Sequence, residues 1–387
     1  MSTTVPFYQK PIEFGIEPEN LVQYWDRANK AYNNQDYRGG LFNTIKYINS
    51  HAFARKDTKG DINAVYNHGS ASVNIKVNDT DFEISAPFLK IHNANKIALM
   101  RRVVEANFSS LTLAQIALKN DALTFYFKTS LDLCHPLKIF DVIREICIYA
   151  DDFDDEFIEK YKAEYYRQPD IRPLSEPQKE KAWQSFQAIA SQCDEYVAAF
   201  EQKRWMGSMW YVMAISMLNL SNMAYIHGTL RTDLEKAIAT HYNGDLDGSY
   251  RIDQSKAFLR KLFHETSKEK FMENVYLADK FVSIKSRSSV EILMALFDNE
   301  KDDFIKDLNE GNNFSAAYSM QCFFIKLMYE YNLDGKHEDV ILKTLERIGG
   351  KECGQAAKIL WNTYSGFLNG AVEGGPRRKG LLARLFN

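Results

Sequence analysis

The sequence predicts two folded units in tandem, an α+β domain followed by an all-α domain. Three observations carry this. Between residues 70 and 133, on either side of a helical stretch from about Ala94, apolar side chains recur at every second position, as they do on strands. Before and after that stretch, and throughout the chain beyond residue 178, they recur every three or four positions, as on helices. Between the two regimes lies QPDIRPLSEPQ (168–178), whose prolines Pro169, Pro173 and Pro177 predict an interdomain linker.

The first helical segment is expected over residues 19–50. Leu21, Tyr24, Trp25, Ala28 and Tyr32 share a face; Gly39-Gly40 interrupts; Leu41, Ile45 and Ile48 resume it. Val73, Ile75 and Val77 then alternate with polar residues, Asn78-Asp79 marks a turn, and Phe82, Ile84, Ala86 and Phe88 alternate in the next strand. A helix from about Ala94 is expected to bury Ile97, Met100, Val104 and Phe108. Two further strands follow: Ala114, Ile116 and Leu118 on one face of the first, and Leu123, Phe125, Phe127, Leu131 and Leu133 on one face of the second. Thr124, Tyr126, Lys128, Ser130 and Asp132 take the opposite, wet face. One polar face per strand predicts an antiparallel sheet covered by helices on one side.

Pro136 suits the first turn of a long helix whose stripe runs through Ile139, Ile143, Ile146, Ala150, Phe153, Phe157 and Tyr161, a seam able to pack on the sheet or on a second subunit. The expected organisation is an α+β domain over residues 1–167, the linker at 168–178, an all-α domain over 179–368, and a Gly-rich, basic and apolar tail over 369–387. Beyond the linker the pattern predicts helices only, including one continuous helical stretch over 267–282.

The chain has 387 residues, 45% of them hydrophobic and 26% charged, with a net charge of −3. Such values describe a globular protein with sizeable cores and exclude wholesale disorder. They give no overall bias toward nucleic acid or anionic membranes. The five cysteines (134, 147, 193, 322 and 353) are odd in number, far apart and without a CxxC pair. That pattern points to reduced thiols and a cytoplasmic setting. The N-terminus lacks the basic and apolar runs of a secretory signal. Residues 205–226 carry no charge, yet Gly207, Ser208, Asn219 and Asn222 dilute them, so a buried core helix is expected there rather than a membrane span.

The segments DFEISAPFLKI (81–91), LMRRVVEANF (99–108), LAQIALKNDALTFYF (113–127), DLCHPLKI (132–139) and IREICIYADDFDDEFIEKY (143–161) together resemble the YbjN-type bacterial family, which is similar in fold to type III secretion chaperones. The resemblance spans residues 15–165. It implies a domain, often dimeric, that binds another polypeptide through its sheet or a helix and has no enzymatic role. The matching positions are mostly core positions, namely Phe82, Ile84, Pro87, Phe88, Leu99, Phe108, Leu123, Phe125 and Phe127, and no catalytic residue carries over. This chain departs from the family in its added helical domain, and from secretion chaperones in lacking their strongly acidic balance.

Other motifs have plain structural readings. Asp151, Asp152, Asp154, Asp155 and Glu156 form a carboxylate run, expected as a solvated helix face with Phe153 and Phe157 turned inward. Asn243, Asp245, Asp247 and Gly248 echo half of an EF-hand loop, but Gln254 stands where a bidentate glutamate is needed, so a polar turn is expected. His135 is expected as a helix cap beside a semi-buried Cys134. No HExxH, GxSxG or P-loop motif occurs, and no cofactor or metal is expected.

The function expected from these readings is a non-enzymatic protein-binding factor, a chaperone or adaptor for a bacterial secretion, assembly or signalling system. The alternatives are a structural subunit of a larger assembly and an enzyme whose site lies unrecognised in the helical domain. The expected partner is another protein, with a homodimer as an option, no nucleic acid, and membrane contact only through the tail. Candidate partner-binding residues are Tyr126, Lys128 and Ser130 on the wet strand face, and Arg377, Arg378, Lys379, Leu382, Leu385 and Phe386 in the tail.

Overall fold

The structure, a computed structural model, describes residues 4–11, 22–52, 60–288, 290–333 and 335–370. It divides into two compact units, each discontinuous in sequence. One comprises Phe14–Leu174 and Val275–Ile284; the other comprises Met1–Glu13, Ser175–Asn274 and Lys285–Asn387. The first unit is α+β and the second is helical, which is the predicted fold class. The division differs from a single cut at 168–178, because residues 275–284 return to the α+β unit and the N-terminal residues belong to the helical one.

In the α+β unit, α1 (Val22–Asn33) and α2 (Tyr37–Ile48) form a helical pair. The break lies at residues 34–36, where Gln35 adopts φ +64°, and not at Gly39-Gly40. Asp36 caps α2 by accepting the Gly39 N–H at 2.9 Å. Gly40 sits inside α2, and a Cβ there would come within 3.3 Å of the Ala28 carbonyl oxygen. Glycine therefore serves close helix approach here rather than helix termination.

The strands are β1 (Ile62–His68), β2 (Ala71–Val77), β3 (Asp81–Lys90), β4 (Gln115–Lys119) and β5 (Ala122–Ser130). All pair antiparallel in the order β1-β2-β3-β5-β4, and a short β6 (Glu164–Tyr165) adds to β3 beyond a bulge between Pro87 and Leu89. Asn120 and Asp121 both take positive φ, 50° and 59°, as a two-residue hairpin turn requires. Two helices complete the unit: α3 (Lys96–Ser109) between β3 and β4, and α4 (Pro136–Tyr161) after β5. Inward-facing Val73, Ile75, Ile84, Ala86 and Phe125 are fully or almost fully buried, and the α4 stripe from Ile139 to Phe157 joins the same core. That stripe is thus consumed by the unit's own sheet, which answers its use as a dimer seam. Strand β5 ends at Ser130; Leu131–Leu133 is a 3-10 turn, and Leu133 is exposed.

The predicted helix over 267–282 holds over Lys268–Glu273, but its second half and the predicted linker give way to a small ribbon. Strand β7 (Ile171–Pro173) pairs with β8 (Tyr276–Ala278). Beside it, Phe281 stacks on Tyr66 with centroids 4.2 Å apart. Three-residue strands carry too little alternation to show a period of two, and their partners are distant in the chain.

The helical unit contains α5 (Glu176–Gln202), α6 (Met206–Ser221), α7 (Gly228–Tyr242), α8 (Gly248–Glu265), α9 (Lys268–Glu273), α10 (Val290–Asn309), α11 (Asn313–Glu330), α12 (Gly335–Ile348) and α13 (Cys353–Leu368). Ser175 and Gln178 form a capping box at the start of α5. Helix α6 is buried on nearly every side, as a central core helix, and no described helix is long and apolar enough to cross a membrane. Residues 4–10 lie extended against this unit.

The carboxylate run on α4 departs from a solvated face. Asp154 is 2% exposed. Asp151 accepts the Ser70 N–H at 2.6 Å, and the Ser70 hydroxyl donates to Asp154, so the two aspartates hold the β1–β2 turn, where Gly69 takes φ +54°. Glu156 instead pairs with Arg102 at 3.2 Å and Lys160 at 3.3 Å. Burial raises the Asp151 carboxyl, and burial together with the Asp151 charge raises Asp154 well above the carboxylate range. A raised acid binds its proton more tightly in the folded chain, so its contribution to stability is present below the ordinary carboxylate pKa and is lost as pH rises through the folded value. Asp154→Asn keeps an acceptor for Ser70 and removes the titration. Urea melts at about pH 5 and about pH 8 should show the variant gaining on the wild type as pH rises. Parallel behaviour at the two pH values would contradict this account.

Candidate functional site

The outward face of the sheet follows from its register. Val65, Asn74, Ser85, Tyr126 and Gln115 are cross-strand neighbours in one row; Asn63, Lys76, Glu83 and Lys128 form the next. Tyr126 is half-buried, with the Lys119 ammonium 3.2 Å from its ring centroid and its hydroxyl donating to Glu83 at 3.4 Å. Partial burial and the Glu83 charge raise its phenol pKa, so it remains a neutral donor. Lys128 is exposed and lies 3.5 Å from Asp81, while Ser130 stands opposite Asp81 at the strand end. The three predicted residues thus share one polar surface in which charges are locally paired. Such exposed pairs add little stability and are easily re-partnered.

The edge of the sheet is a different matter. Asn107 on α3 donates to the Ile116 carbonyl at 3.0 Å and accepts the Ile116 N–H at 2.7 Å, sealing the outer side of β4. Glu145 on α4 accepts the N–H groups of Thr112, Leu113 and Ala114, the last at 2.8 Å. These side chains occupy backbone groups that an added strand would need. Recognition by strand addition is therefore disfavoured at the β4 edge.

Helix α3 turns most of its predicted stripe outward; of the four residues expected to be buried, only Met100 packs against the core. Leu99, Val103 and Ala106 face the core, whereas Ile97, Val104 and Phe108 are 72%, 52% and 88% exposed. Both triplets satisfy helical spacing, so periodicity cannot choose between them; packing against the sheet does. The three exposed residues fall within about 40° of one another around the helix. On the adjoining strand Leu118 is also exposed. An apolar line of this kind invites a covering surface. Its signal lay in the sequence as a second apolar line on α3.

Other chemistry-bearing groups are absorbed structurally. His135 Nδ1 accepts the Leu137 N–H at 3.3 Å as the α4 cap, and the Cys134 thiol is pushed up to about 12 by burial, far from a thiolate nucleophile. Asp247 caps α8 by accepting from Ser249 and Tyr250, and Asn243 accepts the Asp245 N–H, which makes the EF-hand-like run a polar turn. Among the described residues no group of three or more His, Cys, Asp or Glu side chains is placed to hold a metal. All five cysteines are buried, and none is in a disulfide. Arg377, Arg378, Lys379, Leu382, Leu385 and Phe386 lie outside the described residues. Compared with known proteins, the chain matches no family model and no curated sequence.

Asn107→Ala removes both bonds to Ile116 and leaves its backbone groups without a side-chain partner. The variant should lose about 2 kcal/mol of stability and aggregate faster through the unsealed strand. Denaturant melts and light scattering check this; an unchanged midpoint would mean that water replaces the seal at no cost.

Proposed function

We propose that this protein is a non-enzymatic polypeptide-binding factor, a chaperone or adaptor, whose α+β unit docks a partner protein through α3. The observation that carries this reading is the exposed line Ile97, Val104 and Phe108 on a helix whose opposite side is already buried. A large ring left 88% exposed on a well-packed helix is hydrated at a cost that a partner's apolar surface removes. The sealed β4 edge, next to α3, supports a side-chain-mediated mode over strand addition at that end of the sheet. The polar face bearing Tyr126, Lys128 and Ser130 supplies hydrogen-bonding groups for register and selectivity. The likeness of residues 81–161 to the YbjN-type family, with its chaperone-like fold, favours the same class, and a bacterial cytoplasm suits five buried thiols kept reduced.

The test places a photocrosslinking residue at position 97 or 108 of the full chain, with position 245 in the helical unit as control. A discrete polypeptide should be captured at 97 and 108, and its binding should vanish in the Ile97→Ser, Phe108→Ser double variant. Because both side chains are exposed, that variant should keep its folding stability within about 0.5 kcal/mol. A smear, or no product, at both positions would sink the proposal.

A further inference from the structure

Residues 4–9 are held by the helical unit in the manner of a bound peptide. Gln192 on α5 accepts the Phe7 N–H at 2.8 Å and donates to the Phe7 carbonyl at 2.9 Å. Two residues on, Asn219 on α6 accepts the Gln9 N–H at 2.9 Å and donates to the Gln9 carbonyl at 2.8 Å. Gln321 on α11 donates to the Pro6 carbonyl at 2.8 Å, and Tyr318 on the same helix to the Thr4 carbonyl at 2.8 Å. The turn before α13 completes the clamp: Val5 donates to the Lys351 carbonyl at 2.9 Å and accepts the Gly350 N–H at 2.9 Å. Three helices and one turn therefore read main-chain groups, which every extended polypeptide possesses.

The receiving side is built for this. Asn219 is 1% exposed and Gln321 0% exposed, within the helical unit's interior. Buried amides are costly unless bonded, and the bonds these two make to the strap are what compensate them. Val5, Pro6 and Tyr8 are buried, whereas Phe7 is 54% exposed and lies over Gly349-Gly350. A Cβ on either glycine would meet the Phe7 ring, at 2.5 Å and 2.6 Å. Meanwhile Gln321 Oε1 is buried without a hydrogen-bond partner, so residues 4–9 do not satisfy every group that faces them.

We propose that the helical unit carries a groove for an extended polypeptide, and that residues 4–9 are its resident occupant, holding the place of a partner segment of like chemistry. That segment is uncharged, with a β-branched residue and a proline followed two positions after the proline by an aromatic residue. The site is separate from α3 and stands independently of the docking surface assigned to the α+β unit.

The experiment uses the full chain carrying Val5→Asp and Tyr8→Ser, which loosens the strap, and a fluorescent peptide TTVPFYQK copied from residues 3–10. The loosened chain should bind the peptide saturably, roughly tenfold or more tightly than the wild-type chain, whose groove is filled. A scrambled peptide should not bind, and adding Asn219→Ala should weaken binding by roughly tenfold. Should the loosened chain lose stability, the peptide added in trans should raise its melting temperature while the scrambled one does not. A folded loosened chain that ignores the peptide, or a destabilised one that the peptide fails to restore, would overturn the proposal and leave the strap a permanent structural element.

Discussion

The α+β unit depends on an aromatic layer between α4 and the sheet. Phe88 and Phe125 meet with centroids 4.8 Å apart, and Phe153 and Phe157 stack one helical turn apart at 5.7 Å. Phe157 also reaches Phe88 at 6.1 Å. Each such ring contributes roughly 1.5–3 kcal/mol by burial, before packing is counted. Because strand side chains alternate, committing Phe82, Ile84 and Phe125 to this layer forces Glu83, Ser85 and Tyr126 to the opposite face. The polar surface is a consequence of the core, not a separate design.

A second constraint recurs in both units: backbone groups that no ladder satisfies need side-chain partners. The same device answers it three times. One amide side chain grips both the N–H and the C=O of a single residue, with Asn107 on Ile116, Gln192 on Phe7 and Asn219 on Gln9. In the α+β unit the device closes an edge from within. In the helical unit it seats an extended segment, and the groups it pairs are available in any peptide.

Much of this was legible from residue order. The alternation from Val73 to Phe88, the Asn120-Asp121 turn, the Pro136 start of α4 and the cap at His135 all stand where local chemistry places them. Four features were not. Gly39-Gly40 looked like a helix break because glycine is disfavoured in helices, yet Gly40 lies where α1 approaches closely and Gly39 lies against the Asp36 cap. Helix α3 offered two apolar lines of equal spacing. The acidic run looked solvated, but Ser70 from a distant turn draws Asp151 and Asp154 inward. The β7–β8 ribbon is too short to leave a period.

Fold class, the two regimes of periodicity and the polar face of β5 from Tyr126 to Ser130 follow from local patterning, since strand and helix repeats are written within a dozen residues. Thr124, expected on that wet face, is buried. Which side of α3 meets the core, where the chain returns to the first unit, and which buried amides serve the N-terminal segment depend on partners far apart in the chain. Their pairing energies exist only once the segments are brought together, so tertiary packing decides them.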